Sequence, residues 1–398
     1  MKLLYLHHVP LNEDMANIIQ VLQMCYAFQQ IGVDVTLAVP TNSENMSETE
    51  MRRIVYEKIG TFATFKIRRF HHFRIRGRLR AAGAYWGAKS FIKHHSNFEY
   101  CFSRSPLIAH LAINAGMKTI YELHGITINA KSKLLDSFYH QLLLRDARSS
   151  NMVLFIAISH ALAKLWNKKG IPAHKTLVLH DGFPADDYET MIPQSIARKI
   201  LGIRSDNKIV AYSGSLYKDR GIESILRLAK TFPDANFYII GGPEENKQFY
   251  KVMSARLELS NVFFTGHIPP YQVKNYLFAA DVLLMLYTKR TSTINICSPL
   301  KAFEYMAAGR IIVGQAFPTI KEIFTDEQNA LLSKPDSYGE LEKQLQKALL
   351  LQYPNELADS ARKLAFEKYS WHKRTQHILN ILKITNTRRI ERQPLYVN

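Results

Sequence analysis

The sequence predicts an α/β protein of two doubly wound domains, each a parallel sheet covered by helices on both faces. The chain has 398 residues, more than one compact core of ordinary size accommodates. Runs with strand character alternate with segments of helical period along most of its length. A polar stretch with few strand signals interrupts the alternation between His180 and Asn207, and we expect the domain junction there.

The first series of alternating elements covers the N-terminal half. A strand at residues 3–9 leads into an amphipathic helix that stops at Gly32, since glycine commonly ends a helix. A strand at 33–39 then completes one βαβ unit. Further strands are expected at 61–67, 100–103, 119–123, 152–158 and 176–179.

A second series follows the polar stretch and repeats the same alternation. Strands are expected at 209–213, 236–240, 262–265, 282–287 and 311–314, with helices at 222–231, up to about residue 259, at 271–279 and at 298–309. Two such domains joined by a hinge would place a ligand cleft between the carboxyl ends of their strands.

Charge and cysteine content restrict the class of partner. Lys and Arg exceed Asp and Glu by 18, a surplus that attracts polyanions or an anionic membrane surface. The scattered residues Cys25, Cys101 and Cys297 form no C-x-x-C pair, which favours a reducing cytoplasm and predicts no metal site. The N-terminus has the pattern of a strand rather than a signal peptide, and the apolar runs are shorter than the ~18 residues of a membrane span. We therefore expect membrane contact to be peripheral.

The helix expected at residues 298–309, SPLKAFEYMAAG, carries a single acid. We expect the Ser298 hydroxyl to cap it, with Pro299 at the first helical position. Because the helix follows a strand, its N-terminus lies at the carboxyl edge of the sheet, where it favours a phosphate. Glu304, nearly two turns on, is placed to accept hydrogen bonds from ribose hydroxyls. The alternative is an ordinary helix start with Glu304 as a solvated charge.

The C-terminal half resembles the nucleotide-sugar domain of glycosyltransferase family 4, whose members have the GT-B fold of two Rossmann-like domains facing across a cleft. The resemblance follows family order through AYSGSLYKDRGIESIL, FYIIGGPEE, NVFFTGHIPP, YLFAADVLLMLY and SPLKAFEYMAAGRIIVG. It implies that Glu304 binds the donor's ribose. It also implies that the main chain around Pro299, Leu300 and Lys301 contacts the pyrophosphate, with Lys301 as a charge partner. An acid usual in the family eight positions before Glu304 is replaced here by Ile296.

Other donor-site residues follow from the same resemblance. SGSLYKDRGIES is similar to the family's phosphate loop, in which Gly214 lets the backbone approach the donor. Arg220 would neutralise the pyrophosphate and stabilise the departing diphosphate, a contribution of about 3 kcal/mol. Many members have a second Arg where this chain has Ser215, and Lys218 either compensates or points to solvent. Ile268 would contact the base, with uracil favoured and adenine or guanine as alternatives.

The first domain contributes fewer recognisable residues. His124 in YELHGI matches a family histidine near the donor sugar and the acceptor, with a purely structural role as the alternative. The loop HVPLNEDMAN lacks the glycines of a dinucleotide fingerprint, which argues against a nicotinamide enzyme. Asn17 in this loop either caps the next helix or binds a ligand.

The C-terminal segment YSWHKRTQHILNILKI resembles the family's final helix, which crosses back to the first domain, with Trp371 packed at the crossing. We accordingly expect an acceptor-binding domain at residues 1–185 and a nucleotide-sugar domain at 186–370. Residues 371–398 would form the returning helix and a basic tail.

The stretch from Lys66 to His95 carries nine Lys or Arg and no acid, with aromatic residues interleaved. Such a mixture suits the headgroup region of an anionic membrane, where each basic residue contributes about 1 kcal/mol. The alternatives are a solvated face or loop, or a nucleic-acid patch that no accompanying module supports. An acceptor or membrane role is expected for Arg74, Arg76, Arg78 and Arg80.

The family resemblance and these features predict a retaining glycosyltransferase. It is expected to move a hexose-type sugar from a nucleotide-sugar donor, with a UDP-sugar favoured, to a saccharide or lipid-linked acceptor of a cell-surface glycan such as lipopolysaccharide. We expect no cofactor, no metal and no nucleic-acid partner, and a cytoplasmic location at the inner face of the cell membrane. A nucleotide-sugar epimerase of the same fold and a non-enzymatic polyanion-binding protein are the alternatives. The donor sugar, linkage, acceptor and oligomeric state depend on cleft shape and on loops that no motif specifies.

Overall fold

The computed structural model describes residues 1–13, 16–41, 46–71, 80–95, 97–126, 132–204 and 206–387. The chain divides into two compact units. Unit 1 comprises residues 1–180, residues 296–298 and the segment from residue 371 onward, and unit 2 comprises residues 181–295 and 299–370. Each unit is built on a parallel sheet with helices between its strands, which confirms the predicted fold class.

Unit 1 alternates strands and helices. Its strands are β1 (Lys2–Leu6), β2 (Asp34–Thr41), β3 (Lys66–His71), β4 (Tyr100–Ser103), β5 (Lys118–Leu123), β6 (Met152–Ala157) and β7 (Thr176–Val178), and its helices are α1 (Ala16–Gln30), α2 (Glu48–Ile59), α3 (Arg80–His94), α4 (Pro106–Asn114), α5 (Lys133–Asp146), α6 (His160–Lys168) and α15 (Trp371–Thr387). Within the described residues the strand order is β3-β2-β1-β4-β5-β6-β7. The order reverses beside β1, so the carboxyl ends of β1 and β4 form the switch point where open α/β sheets bind ligands.

The third strand lies farther along the chain than the pattern at residues 61–67 predicted. In the structure β3 pairs with β2 from Lys66 opposite Thr36, and residues 61–65 belong to the connection after α2. That connection alternates between buried and exposed side chains, as a strand does, but lacks a partner strand among the described residues. Because pairing is what defines a strand, the predicted position was wrong. β1 likewise ends at Leu6 instead of residue 9.

Aromatic rings and one returning helix form much of the core of unit 1. The Tyr5 and Phe102 rings stack with centroids 4.7 Å apart, and the Phe28 ring of α1 meets Phe102 at 6.1 Å. Helix α15 packs against α1 and buries Trp371 and Ile378. The last described helix therefore belongs to the same unit as the first strand.

Unit 2 repeats the α/β pattern on a smaller sheet. Its strands are β8 (Lys208–Ser213), β9 (Ala235–Ile240), β10 (Val262–Gly266), β11 (Val282–Met285), β12 (Ile311–Gln315) and β13 (Leu331–Ser333), and its helices are α7 (Ala185–Tyr188), α8 (Gln194–Ile200), α9 (Ile222–Thr231), α10 (Glu244–Arg256), α11 (Pro270–Ala279), α12 (Leu300–Ala307), α13 (Tyr338–Leu350) and α14 (Glu356–Lys368). The strand order is β10-β9-β8-β11-β12-β13. Its switch point lies between β8 and β11, so the loop after β8 and the segment after β11 reach the same edge.

Two further observations bear on the sequence predictions. No disulfide joins Cys25, Cys101 or Cys297, all of which the structure describes, and Cys25 and Cys101 are buried. In the part of the chain that the structure describes, the helices are too short or too polar to cross a bilayer.

Candidate active site

The helix expected at residues 298–309 is shorter in the structure and begins differently. Pro299 occupies the cap position, with φ −76° and ψ 118°, and α12 receives no side-chain cap. The prediction that Ser298 caps this helix was therefore wrong. The extended backbone continues through Pro299, so the cap position falls on a proline, whose side chain carries no hydrogen-bond acceptor. The uncapped first turn keeps the affinity for anions of a helix N-terminus.

Ile296, which replaces the acid usual in the family, is a packing residue of unit 1. Its side chain is 8% exposed and lies in the apolar cluster around Phe155 and Trp166. Its carbonyl accepts a hydrogen bond from Ser159 Oγ at 2.8 Å. The substitution thus exchanges a ligand-type side chain for one that contributes to the hydrophobic core.

Two cations expected at the diphosphate share one aromatic ring in unit 2. The Arg220 guanidinium carbon lies 5.4 Å, and the Lys301 ammonium 5.1 Å, from the centre of the Tyr287 ring. Lys301 is also 4.0 Å from the centre of the Tyr212 ring, and Arg220 Nε donates to Ser215 Oγ at 3.3 Å. Because the face of a tyrosine ring attracts cations, these rings hold both charges near the end of β8 and the start of α12.

The loop after β8 approaches α12 closely because Gly214 has no side chain. The φ of Gly214 is 142°, a backbone conformation that favours glycine. A Cβ at this position would lie 3.2 Å from the Lys301 ammonium nitrogen. The Tyr305 hydroxyl of α12 accepts hydrogen bonds from the Ser213 backbone nitrogen at 2.7 Å and from Ser213 Oγ at 3.2 Å. These bonds fix the end of β8 against α12.

Lys218 contacts a different aromatic ring from the one that Arg220 and Lys301 share. Lys218 is exposed, and its ammonium lies 5.6 Å from the centre of the Phe249 ring of α10. Ile268 is half-buried in the loop after β10, while Leu300 is half-buried in the first turn of α12. Direct contacts therefore connect Arg220 with Ser215 and place Arg220 and Lys301 at one ring, whereas Lys218 lies at the Phe249 ring.

Glu304 is half-buried on α12, one turn beyond Lys301. Burial raises the pKa of Glu304 to about 7, and the Asp187 carboxylate adds to the rise, while Lys301 opposes it. Asp187 also forms an ion pair with Lys274 of α11. The sequence analysis missed Asp187, and the acidic pair Asp186-Asp187 shortly after HDGFP was the available signal. Glu304 thus titrates close to neutral pH.

In unit 1, His124 belongs to a buried polar cluster at the end of β5. Its Nε2 contacts Glu122 Oε1, and Glu122 also accepts from Gln20 Nε2 at 2.6 Å and from Arg374 Nη1 at 2.9 Å. The Glu122 and Arg374 side chains are 0% and 2% exposed. Burial alone would raise the pKa of Glu122, but Arg374 and then His124 hold it well below its usual range.

The ionised Glu122 determines which ring nitrogen of His124 carries a proton. A carboxylate can only accept, so Nε2 of His124 is the donor. Burial lowers the pKa of His124 to about 4, and Arg104 adds to this effect against the opposing Glu122. The imidazole is therefore neutral near pH 7, which leaves Nδ1 as an acceptor. The side chain is 22% exposed, so a hydroxyl group of a ligand can reach it.

The remaining predicted residues of unit 1 are only partly described. Asn17 lies in the first turn of α1, and its Oδ1 is buried. Arg74, Arg76 and Arg78 lie outside the described residues, as does the side chain of Arg80 at the start of α3.

The described ends of the basic segment expose several of its residues. β3 exposes Arg68 and Arg69, while α3 exposes Trp86, Lys89 and Lys93. The Lys89 ammonium lies 5.4 Å from the centre of the Trp86 ring. One helix face therefore carries both positive charge and an indole ring.

The fold consists of two Rossmann-like domains, and models of glycosyltransferase families match both halves of the chain. The family described as Glycosyltransferase Family 4 matches residues 19–187, and the family described as Glycosyl transferases group 1 matches residues 193–368. The chain belongs to this family of group 1 glycosyltransferases and has the GT-B fold.

Individual relatives agree with this assignment. The lipopolysaccharide 1,2-N-acetylglucosaminetransferase of Salmonella typhimurium is 24% identical over 69% of this chain and 72% of its own length. The sucrose-phosphate synthase structure from Thermosynechococcus elongatus has a TM-score of 0.75 at 15% identity and covers 97% of this chain and 100% of that one. Anabaena HepE in complex with UDP and glucose has a TM-score of 0.72 at 18% identity over 96% of this chain and 99% of that one.

Proposed function

We propose that the protein transfers a hexose-type sugar, with retention of configuration, from a UDP-sugar to a saccharide or lipid-linked acceptor of a cell-surface glycan. The observation that carries the proposal is the pair Arg220 and Lys301 on the Tyr287 ring, with Glu304 one turn from Lys301. The solved complex of HepE with UDP and glucose supports the donor class. The Salmonella lipopolysaccharide enzyme supports the acceptor class.

In this proposal the two cations hold the diphosphate while Glu304 accepts hydrogen bonds from the ribose hydroxyls. The acceptor oxygen bonds to the anomeric carbon as the bond from that carbon to the diphosphate breaks on the same face. The hydroxyl proton passes to an oxygen of the departing diphosphate, so the step needs neither a protein nucleophile nor a metal ion. Arg220 and Lys301 stabilise the charge that the diphosphate gains.

A binding screen followed by a transfer assay tests the proposal. Nucleoside diphosphates and their sugars are compared for thermal stabilisation of the protein, and we expect UDP and a UDP-sugar to give the largest shifts. The preferred donor is then incubated with saccharide acceptors, and products are analysed for a new glycosidic bond. An epimerase would instead yield free sugar or nucleotide without needing an acceptor, and a polyanion-binding protein would show salt-sensitive RNA affinity without nucleotide stabilisation.

Two variants connect the assay to the site. Arg220→Ala should lower turnover roughly 100-fold, and Glu304→Ala should weaken nucleotide binding. Arg227→Ala is a matched control, because the Arg227 guanidinium lies 3.7 Å from the Tyr338 ring centre on another part of unit 2. Unchanged turnover and nucleotide affinity in both site variants would reject the assignment of the site.

We further propose that the protein acts in the cytoplasm at the inner face of the cell membrane. The exposed Trp86, Lys89 and Lys93 on α3 support this, because an indole ring and basic groups on one face suit an anionic headgroup layer. Flotation with vesicles of anionic and of neutral lipid at low salt tests the proposal. Failure to float with the anionic vesicles would remove it.

A further inference from the structure

A second charged group lies at the switch point of unit 1. Strands β1 and β4 pair with Tyr5 opposite Phe102. One residue farther along both strands, Ser103 Oγ donates a hydrogen bond of 3.0 Å to the Leu6 carbonyl. The same register brings the following residues, His7 and Arg104, side by side at the carboxyl edge. Although β1 ends at Leu6, the His7 N–H still donates to the Ala38 carbonyl of β2 at 3.0 Å, so His7 continues the strand pattern and shares the face of Tyr5. Arg104 reaches the same face, because its guanidinium contacts α1, which covers the Tyr5–Phe102 stack.

Arg104 has unused hydrogen-bonding capacity at this edge. Its Nη1 donates to Gln20 Oε1 and, at 3.4 Å, to the Asn17 carbonyl, both on α1. Among the described residues no carboxylate lies within ion-pair distance of its guanidinium, and its Nε and Nη2 make no hydrogen bond. A guanidinium offers a planar set of donors that matches a phosphate or carboxylate. Arg104 is half-buried, so a ligand can reach it from solvent.

Buried polar atoms without partners concentrate around the same point. Within the described residues, five side chains hold such atoms, and three of them, Tyr5, His7 and Asn17, lie on β1 or in the loop and helix that follow it. His7 is 1% exposed, and neither of its ring nitrogens has a partner. Buried polar groups are nearly always hydrogen-bonded, so this concentration indicates a place for a polar ligand or for ordered water.

Two further features favour an anion over a neutral ligand. Helix α4 begins at Pro106, directly after Arg104 and Ser105, and has no side-chain cap. Pro106 has no N–H and the Ser105 N–H donates to Ser103 Oγ at 3.2 Å, so this helix end adds a partial positive charge and the N–H groups of Leu107 and Ile108. The buried acid that interacts electrostatically with Arg104, Glu122, is shared with Arg374 at 2.9 Å and with His124, so it offsets only part of the Arg104 charge.

We infer that Arg104, together with His7 and the N-terminus of α4, forms a subsite for an anionic group of the sugar acceptor, a phosphate or a carboxylate. This inference rests on the proposed transferase function and adds a charge requirement to its acceptor. The guanidinium supplies the charge, the helix end supplies N–H donors, and the His7 ring supplies a further donor or acceptor.

Calorimetric titration of the full chain, with the nucleotide site first saturated with UDP, tests the subsite. The probes are glucose 6-phosphate, glucuronate and glucose, which share a ring but differ in charge. We expect one charged probe to bind at least about tenfold more tightly than glucose, and the better probe identifies phosphate or carboxylate as the group. Equal binding of all three probes by the wild-type protein would overturn the inference.

Three variants assign the charge preference to Arg104. Arg104→Gln should remove the preference, whereas Arg104→Lys should keep part of it because the positive charge remains. Arg53→Gln, at an exposed position of α2 in the same unit, should leave it unchanged. A preference that survives in Arg104→Gln, or is lost equally in Arg104→Gln and Arg104→Lys, would contradict the subsite.

The UDP titration separates this inference from the proposed function. Arg104 and the expected nucleotide site belong to different units, so UDP affinity should be the same in the wild type and in all three variants. Absence of UDP binding in the wild type would refute the proposed donor. The sugar probes would then be titrated without UDP and would still decide the charge preference of unit 1.

Discussion

The Lys301 ammonium lies 4.0 Å from the centre of the Tyr212 ring, so a charge on the first turn of α12 rests against the last part of β8. The two residues come from elements on either side of the switch point of unit 2. Tyr212 thereby fixes the position in space of the Lys301 ammonium, which the sequence alone does not define.

Removal of this charge should weaken diphosphate binding. We expect Lys301→Gln to lower UDP affinity at least about tenfold, because a charge-assisted hydrogen bond to the phosphate is lost. Lys230→Gln, at an exposed position of α9, removes the same charge elsewhere on unit 2. Isothermal titration compares them, and equal affinities would show that Lys301 does not contact the diphosphate.

Gly241 should be intolerant of any side chain. With φ at 100°, a Cβ on Gly241 would lie 2.8 Å from the Gly214 carbonyl oxygen, so Gly241→Ala displaces the loop that holds the diphosphate. We expect a loss of about 2 kcal/mol in unfolding free energy together with weaker UDP binding. Gly339→Ala, in the first turn of α13, should stabilise slightly, because its Cβ meets no atom within 4 Å and alanine is favoured over glycine in a helix by at most about 1 kcal/mol. Urea denaturation measures both changes.

Nucleotide-sugar affinity should increase with pH through neutrality. Burial, followed by Asp187, raises the pKa of Glu304 to about 7, so the carboxylate that accepts from the ribose is mostly protonated at pH 6. If only the ionised form binds, affinity should rise about tenfold between pH 6 and pH 8. UDP-glucose is the suitable probe, because its diphosphate has no ionisation in this range. A flat profile for the wild type would contradict the role of Glu304.

The same raised pKa has the opposite consequence for the free protein. The contribution of Glu304 to the free energy of unfolding is fully present below the ordinary pKa of a glutamate, and it is lost as the pH rises through about 7. Glu304→Gln should flatten both the affinity profile and this part of the stability profile. Chemical denaturation at pH 6 and pH 8 provides the comparison.

The buried ion pair of unit 1 should be costly to break from one side. Glu122→Gln leaves the Arg374 guanidinium, 2% exposed, without its counter-charge, and we expect a loss of about 3–5 kcal/mol in unfolding free energy. The double variant Glu122→Gln with Arg374→Met should recover part of that loss. Asp34→Asn breaks the pair with Lys66, in which both side chains are largely exposed, and should cost less than about 1 kcal/mol. Similar losses for Glu122→Gln and Asp34→Asn would contradict this interpretation.

The alternation of strands and helices was predictable because it reflects local periodicity. Helix α9 occupies the predicted residues, whereas β3 is displaced, since an extended segment becomes a strand only where a neighbour offers a ladder. The predicted start of α12 was wrong, because the backbone of Pro299 is extended and the helix begins only at Leu300. One dihedral angle decides that boundary, and side-chain type alone does not specify it.

The charged residues of the candidate site were predicted from family resemblance, but the residues that hold them were not. In the sequence, Tyr212 and Tyr287 have the pattern of core residues in predicted strands. Their contact with Lys301 depends on the order of the strands in the sheet. Glu122 and Arg374 are 252 positions apart, so no local pattern links them. Asp187 lies on a helix of four residues, which is too short to show a period.

The membership of α15 in unit 1 has a consequence for biosynthesis. A ribosome makes all of unit 2 before it reaches Trp371, so the later unit can complete its structure while the earlier one still lacks a helix. During that interval the nascent chain holds Glu122 without Arg374. Completion of unit 1 therefore waits for helix α15, in contrast to the usual order in which domains finish folding as they emerge.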